Sequence, residues 1–450
     1  MKTMPLIAAL GLTAALGCNV LGAADWTRFR GANGSGIATD STAPSAWSET
    51  HGVKWKTPLP GPGASSPIVR GDRVFVTCYS GYGDSVGGST SPENLKRHLV
   101  CISRTDGRIL WSQAVPAVLP EDSYNGMMAE HGYASNTPAI DDERVYAFFG
   151  KTGVVAFDFA GKQLWQVSVG QDSSNRRWGS GSSLVLYKDL VIVTASEESR
   201  SIRALDKRTG KEMWKAAADT LELTYGTPTL VESAGGQAEL VIAVPGEVWS
   251  LNPDTGKLRW YATTALTGNV GPSVVAAEGI IYATGGFPGT GSVAVRAGGK
   301  GDVTQSQIVW SSQHGSYIPS PVVYRGRLHF VNDQGFAVCV DAQTGNLVYK
   351  ERLSGVSSGS GGGFGSKPFY ASAVLANGNL YAVSRRNGTF VIAATPEFKL
   401  VAQNKLPSDG SDFNATPALS GHQIFLRSNR FLYCIEADVG GRSGQEKAGN

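Results

Sequence analysis

Asp206-Lys207-Arg208-Thr209-Gly210-Lys211-Glu212-Met213-Trp214 is the stretch on which the fold turns. An Asp that caps the turn backbone, a Gly able to take φ > 0 and a strand ending on Trp read together as a tight β-hairpin. The unit recurs at Asp106-Gly107 to Trp111, Gly161 to Trp165 and Asp254-Thr255-Gly256 to Trp260, and again at Trp310 after a longer turn. Successive tryptophans stand 54, 49, 46 and 50 residues apart. A sixth copy, Asp341 to Gly345, ends at Tyr349, and a seventh has Ala402 in the Trp position. A period of ~50 residues implies a propeller or a solenoid.

Outward from this hairpin, each repeat holds four strand-like segments. The first follows Pro or Ser, as in Ser66-Pro67-Ile68-Val69 and Thr227-Pro228-Thr229-Leu230. The second reads like Arg144 to Phe148, the third like Ile202 to Asp206, and the fourth is the Trp strand. Period-2 alternation between Gly and Asp turns predicts antiparallel pairing, and four such strands make a propeller blade. Pro67, Pro138, Ser183, Pro228, Pro272, Pro321, Ala373 and Pro417 mark eight first strands. The last recognisable strand, Leu432 to Glu436, is a third strand, and the missing fourth stands at the other end as Gly52 to Lys56. The expectation is an all-β, eight-bladed β-propeller of four-stranded antiparallel blades. Its N-terminal strand closes the last blade and removes an open edge.

Composition agrees with many short strands joined by tight turns. Charged residues are 17% against a usual ~25%, glycine occupies 57 of 450 positions, and 41% are hydrophobic, which excludes a disordered chain. A net charge of +3 is too small for a nucleic-acid footprint. Lys2, the apolar run Leu6 to Leu16 and Gly22-Ala23-Ala24 read as a signal peptide over 1–24, and the alternative is lipidation at Cys18. Residues 25–47 form an N-terminal extension, 48–436 the propeller and 437–450 a flexible tail. Whether Trp26 to Ala46 crosses the propeller or stands free is open. Cys101, Cys339 and Cys434 share one repeat position and read as core packing, while a Cys78–Cys101 disulfide stays open.

The repeated A-x-D-x-x-T-G-x-x-x-W pattern resembles the pyrroloquinoline-quinone (PQQ) type repeat of quinoprotein dehydrogenases and of the outer-membrane assembly lipoprotein BamB. The chain more closely resembles exported bacterial PQQ-repeat proteins that begin Trp26-x-x-Phe29-Arg30-Gly31. They continue with His131-Gly132-Tyr133-Ala134-Ser135-Asn136-Thr137-Pro138 and Phe148-Phe149-Gly150-Lys151-Thr152-Gly153. A quinoprotein of this resemblance would hold PQQ and calcium, with an Asp base and usually a vicinal Cys-Cys; no Cys-Cys occurs in the sequence. The expected function is therefore a non-catalytic binding or scaffold protein with no cofactor. It would be monomeric and periplasmic or secreted, or membrane-anchored if Cys18 is lipidated. Its partner would be an envelope protein, a peptide or a glycan, and not nucleic acid. The alternative is a PQQ-dependent oxidoreductase.

Other motifs fail on context. Gly355-Val356-Ser357-Ser358-Gly359 fits a nucleophile elbow literally but has no helix after it, and Gly298-Gly299-Lys300 is followed by Gly301 where a phosphate loop needs Ser or Thr. The six histidines show no metal spacing, and His329 lies in an alternating strand with a packed or solvated role. Function is expected instead on long loops at 79–97, 112–135 and 354–371, which open on one face. Candidate binding residues there and nearby are Tyr124, Glu130, His131, Tyr133, Asn136, Arg176, Arg177, Trp178, Arg385, Arg386, Asp412 and Asn414. The competing role for these groups is to cap loops and satisfy backbone.

Overall fold

The computed structural model describes residues 25–83, 91–357 and 364–437. The expected signal segment with Cys18, the loop pieces 84–90 and 358–363 and the tail 438–450 lie outside them. The strands assemble into eight sheets, each built on four antiparallel strands connected in sequence order from the axis outward. In blade 1 these are Ile68–Arg70, Arg73–Ser80, Lys96–Ser103 and Ile109–Pro116. The eighth blade takes Ala418–Ser420, Gln423–Arg427 and Phe431–Glu436 from the end of the chain and Val53–Pro58 from its beginning. Trp55 pairs with Cys434 and Pro58 with Phe431, so the ring is closed by a strand from the N-terminus.

One sequence expectation needs correction. The second and third strands do not alternate: Arg73–Ser80 and Lys96–Ser103 are buried nearly throughout. Each blade is covered on both faces by its neighbours, which makes its middle strands read as continuous apolar runs. Only the outermost strands alternate, as Val53–Pro58 does. The core is accordingly cut into slices between blades, such as Ile68, Phe75 and Leu99 against Val145, Val155 and Phe157. Cys78, Cys101, Cys339 and Cys434 are all free and buried. Cys78 stands opposite His98 and Cys101 opposite Phe75, so the two thiols are not cross-strand partners. His329 is packed at 0% exposure, and burial pushes its pKa down to about 4.

The hairpin repeat is a device for joining blades. The indole Nε1 of Trp55, Trp111, Trp165, Trp214 and Trp310 donates to a carbonyl in the next blade's last turn, at Arg104, Phe159, Lys207, Pro253 and Ala342, over 2.9–3.0 Å. The same ring lies flat on that turn's glycine: a Cβ on Gly256 would stand 2.4 Å from Trp214. Trp260 departs from the series and donates to Glu239 in its own blade, because the next turn is lengthened and adds Gly301–Asp302 to blade 4's edge. Gly256 (φ +71) has both a left-handed backbone and no room for a methyl. Gly256→Ala is expected to cost about 2–4 kcal/mol in urea denaturation. Gly279→Ala, equally left-handed (φ +75) but with nothing within 4 Å, should lose only the backbone part, about 1–2 kcal/mol. Equal losses at the two positions would remove the tryptophan from the explanation.

The N-terminal extension crosses the axis. Trp26 bridges to Val69 in blade 1, the Thr27 carbonyl accepts from Ile140 in blade 2, and Arg30 donates to the Pro321 carbonyl of blade 6. Ile37–Ala38 then runs parallel to the inner strand Val374–Ala376 of blade 7, and Thr42 N–H donates to Gly421 in blade 8. The segment thus closes one end of the central channel. Among the described residues no helix is long and apolar enough to cross a membrane.

Candidate functional site

The open end of the channel is a cup of about 190 Å³ on the face that carries the long loops. Phe29 of the crossing segment is part of its lining. Its wall is a ring of small hydroxyl residues, one from each blade, at the start of the inner strand: Ser66, Thr137, Ser183, Thr227, Ser273, Ser320, Ser372 and Thr416. Backbone N–H groups of the first seven each donate to the next residue's hydroxyl oxygen, at 2.9–3.0 Å. These hydroxyls occupy backbone donors that two facing strand ends would otherwise leave unpaired. In accepting, each keeps its own proton to donate.

Above the ring stands an aromatic rim of Trp178, Tyr225, Tyr317 and Tyr370, with Met127, His131, Ile318, Asn269 and Asn414 between them. Every ring is pinned. Trp178 packs against Tyr225 at 5.8 Å and lies under the Arg176 guanidinium at 5.5 Å. The Tyr225 hydroxyl donates to Glu197 at 2.8 Å, Asn269 donates to the Tyr317 hydroxyl at 2.5 Å, and the Arg385 guanidinium stands 4.4 Å over Tyr370. Among the described residues no Lys, Arg, Asp or Glu lines the cup.

A short helix, Gly126–His131, overhangs the cup and carries two of the predicted residues. His131 Nε2–H donates to the Trp178 carbonyl at 2.8 Å, which leaves Nδ1 to accept from the Ser135 hydroxyl at 2.6 Å. Burial pushes the His131 pKa below its ordinary value and keeps the ring neutral. Glu130 joins Arg385 at 2.8 Å, Arg385 joins Asp412 at 2.5 Å and Asn414 at 2.9 Å, and the Asn414 amide donates to the Glu130 carbonyl at 2.9 Å. Arg386 pairs with Asp412 from outside at 2.6 Å. Glu130, Arg385, Arg386, Asp412 and Asn414, distant in sequence, are thus one network that ties the helix to blades 7 and 8.

Tyr133 and Asn136 are corrected as surface anchors: both are buried, because their polar groups serve the loop itself. The Tyr133 hydroxyl donates to the Asp122 carbonyl and the Asn136 amide to the Ser182 carbonyl, each at 2.6 Å. Tyr124 packs with Tyr79, Tyr82 and Tyr133 in an aromatic cluster beneath the loop. Arg385 is likewise buried, and Arg177 is exposed outside the cup lining. Tyr225, Tyr317, Tyr370 and the hydroxyl ring were not read from the sequence. The Ser or Thr at the start of each first strand is the signal that could have found the ring.

Behind the cup lies a buried charge cluster. Arg97 pairs with Glu121 at 2.5 Å and Lys151 with Asp122 at 3.2 Å. Glu197 and Glu198 on the turn Ser196–Ser199 have no cation facing them in an ion pair among the described residues. Glu198 is 2% exposed; the Ser180 hydroxyl donates to Oε1, and Oε2 has no hydrogen-bond partner. Burial pushes its pKa up to about 7. The folded carboxyl therefore holds its proton to about pH 7, whereas the unfolded one releases it near ~4.3. Unfolding releases a proton between those limits, so stability present below ~4.3 falls as pH rises, by about 3 kcal/mol at pH 7. Glu198→Gln should flatten this decline in urea titrations from pH 4 to 7.5. A variant with the parental slope would assign the proton elsewhere.

PQQ does not fit the cup. Among the described residues its carboxylates would face a lining without a cation, calcium would find no carboxylate there, and about 190 Å³ is below the ~300 Å³ at which cofactor pockets begin. Of the guanidiniums around it, Arg30 and Arg427 stand behind the wall and donate to the Pro321 carbonyl and to Ser65, Arg176 lies outside the rim, and Arg385 is held by Glu130 and Asp412.

Eight four-stranded blades, five of whose seams are Trp-on-Gly contacts, define a closed β-propeller of the PQQ-repeat type. The chain belongs to the family described as outer membrane protein assembly factor BamB, which it matches over residues 35–177, 95–351 and 161–445. It is similar in fold to BamB from Moraxella catarrhalis, with a TM-score of 0.59 and 12% identity over 86% of this chain and 98% of that one. The computationally designed Ika8 protein superposes at a TM-score of 0.56 and 12% identity, over 84% and 98%. A tetrathionate hydrolase from Acidianus ambivalens is 28% identical over 130 residues, 25% of this chain and 24% of that protein. The chain thus matches about a quarter of that relative's length.

Proposed function

We propose that this chain is an exported, non-catalytic binding protein of the cell envelope whose ligand enters the central cup. The observation that carries the reading is the cup itself: pinned aromatic rings over a wall of hydroxyl donors, with no charged side chain among the described residues of the lining. Rigid aromatic groups with a few convergent polar ones are the usual make-up of a binding site. Membership of a family described as an envelope assembly factor supports the cellular setting, and under this reading the residues 1–24 are removed or, with Cys18 lipidated, anchor the protein. The test is photo-crosslinking in the intact envelope from position 318 at the rim, with position 213 on a blade's outer strand as control. A mass shift confined to 318 is expected. Adducts at 213 alone would move binding to the blade edges.

One observation favours a second reading. Ser135 and His131 form a hydroxyl–imidazole pair at 2.6 Å inside the cup, as in a nucleophile–base pair. The group orienting His131 is the Trp178 carbonyl, which carries no charge to hold an imidazolium. Turnover of an activated acyl ester that is lost in Ser135→Ala would support acyl hydrolysis against the binding reading.

A further inference from the structure

The chemistry of the cup narrows the class of its ligand. All the wall hydroxyls but Ser66 accept from the neighbouring backbone, and among the described residues they donate to nothing. Their protons face a cavity of about 190 Å³, the space of about six waters at ~30 Å³ each. A ligand that displaces those waters must bring acceptor oxygens on several sides, or it leaves a circle of buried donors unpaired. Among the described residues no charged side chain lines the cup, so an ionised ligand would be desolvated there without a direct ion pair. The rim aromatics line the cup as mainly apolar surface, which suits the weakly positive C–H groups of a ligand.

A peptide fits less well. Strand addition needs free N–H and C=O groups, but the N–H groups at the starts of the inner strands are spent on the hydroxyl ring. An apolar side chain inserted on its own would satisfy the rim and strand the wall. The group that meets both is a pyranose ring: C–H groups for the apolar rim, hydroxyl oxygens around its whole edge for the wall, and no charge.

We infer that the cup binds a neutral carbohydrate, one sugar unit entering between Trp178, Tyr225, Tyr317 and Tyr370 while the chain continues across the loop-bearing face. This rests on the cup-binding reading above and gives it a ligand class. The pinning contacts, Tyr225 on Glu197 and Tyr317 on Asn269, hold the rings in position before the ligand arrives, so little ordering remains to be done on binding.

The experiment is calorimetric titration of the mature protein with cellohexaose, chitohexaose, maltohexaose, xylohexaose and mannohexaose, and with a proline-rich decapeptide. Saturable binding of at least one sugar is expected, weakened at least ten-fold in Trp178→Ala and in Tyr317→Ala. Ser66→Ala, which deletes the wall hydroxyl that accepts from no ring N–H among the described residues and keeps the rim, should weaken binding several-fold, and covers the case in which a rim variant fails to fold. Sugar binding that is unchanged in folded rim and wall variants overturns the inference, as does binding of the peptide alone. Absence of sugar binding together with crosslinks from position 318 overturns the carbohydrate class but leaves the cup as the binding site. Absence of both overturns the two readings together.

Discussion

Arg385→Met is expected to destabilise the protein by about 3–5 kcal/mol, the cost of removing one partner from a buried ion pair. The guanidinium is only 5% exposed and is shared by Glu130 and Asp412, so its loss leaves two carboxylates facing each other with a single outer partner, Arg386. It also donates to the Gly365 carbonyl and Asn414, and caps Tyr370. A lysine should not rescue it, since one ammonium cannot meet acceptors spread along a planar fork. The neighbour is the control. Arg386 pairs with the same Asp412 but is 58% exposed, and Arg386→Met should cost less than about 1 kcal/mol. Urea denaturation of the two variants checks this directly, and comparable losses would mean that the network contributes no more than a surface pair.

That network also explains why the helix Gly126–His131 holds its place over the cup. A six-residue helix has no independent stability in water. It is fixed from outside, by Glu130 through Arg385 and by His131 through Trp178. Loosening Arg385 should therefore make segment 120–136 more open to proteolysis before the blades unfold.

The contrast between what the sequence discloses and what it conceals follows from the range of the interactions. The hairpin Asp206 to Trp214 is a local signal: turn chemistry and strand sit within nine residues, and the tryptophan's partner recurs at a fixed interval. Eight blades, and the strand at Trp55 that completes the last one, were legible for that reason. Tyr225 and Tyr370 stand two residues before the wall hydroxyls Thr227 and Ser372, and Tyr317 three before Ser320, but the residue type at this position varies from blade to blade (Ala64, Gly181, Asn414), and they meet only because a closed ring brings its loop-bearing face around one axis. His131 and Trp178 were singled out as polar and aromatic groups near long loops, and both line the cup. Tyr133 and Asn136 were singled out on the same ground and are buried, since exposure depends on neighbours that composition does not name. The path of Trp26 to Ala46 was concealed for a different reason. Its strand pairing is only Ile37–Ala38, and its buried arginines read as surface residues. Arg28 and Arg30 are inside because Gly34 and Gly36 leave room for their guanidiniums, where a Cβ would stand 3.0 and 2.5 Å away.

The largest effect is expected from deleting residues 48–58, which should abolish soluble, cooperatively folding protein. The segment supplies the outer strand of blade 8, with paired residues from Val53 with Ile435 to Pro58 with Phe431. Without it the strand Phe431–Glu436 becomes an open edge with a free row of backbone donors and acceptors. Trp55, which is 8% exposed, is lost with its bond to the Arg104 carbonyl and its packing on Gly107 in blade 1, so the seam between the first and last blades opens. In a ring each blade is held from both sides, and one open seam deprives blades 8 and 1 of a face each. Failure to fold would by itself say only that the segment matters. A rearranged chain separates topology from mere importance: residues 48–58 moved by a short flexible linker to follow position 437 can reach the same place beside Phe431–Glu436. That chain should recover solubility and a single unfolding transition, because the closing strand is defined by its pairing and not by its place in the sequence. A rearranged chain no more soluble than the deletion, or a deletion that melts like the parent, would refute closure through this strand.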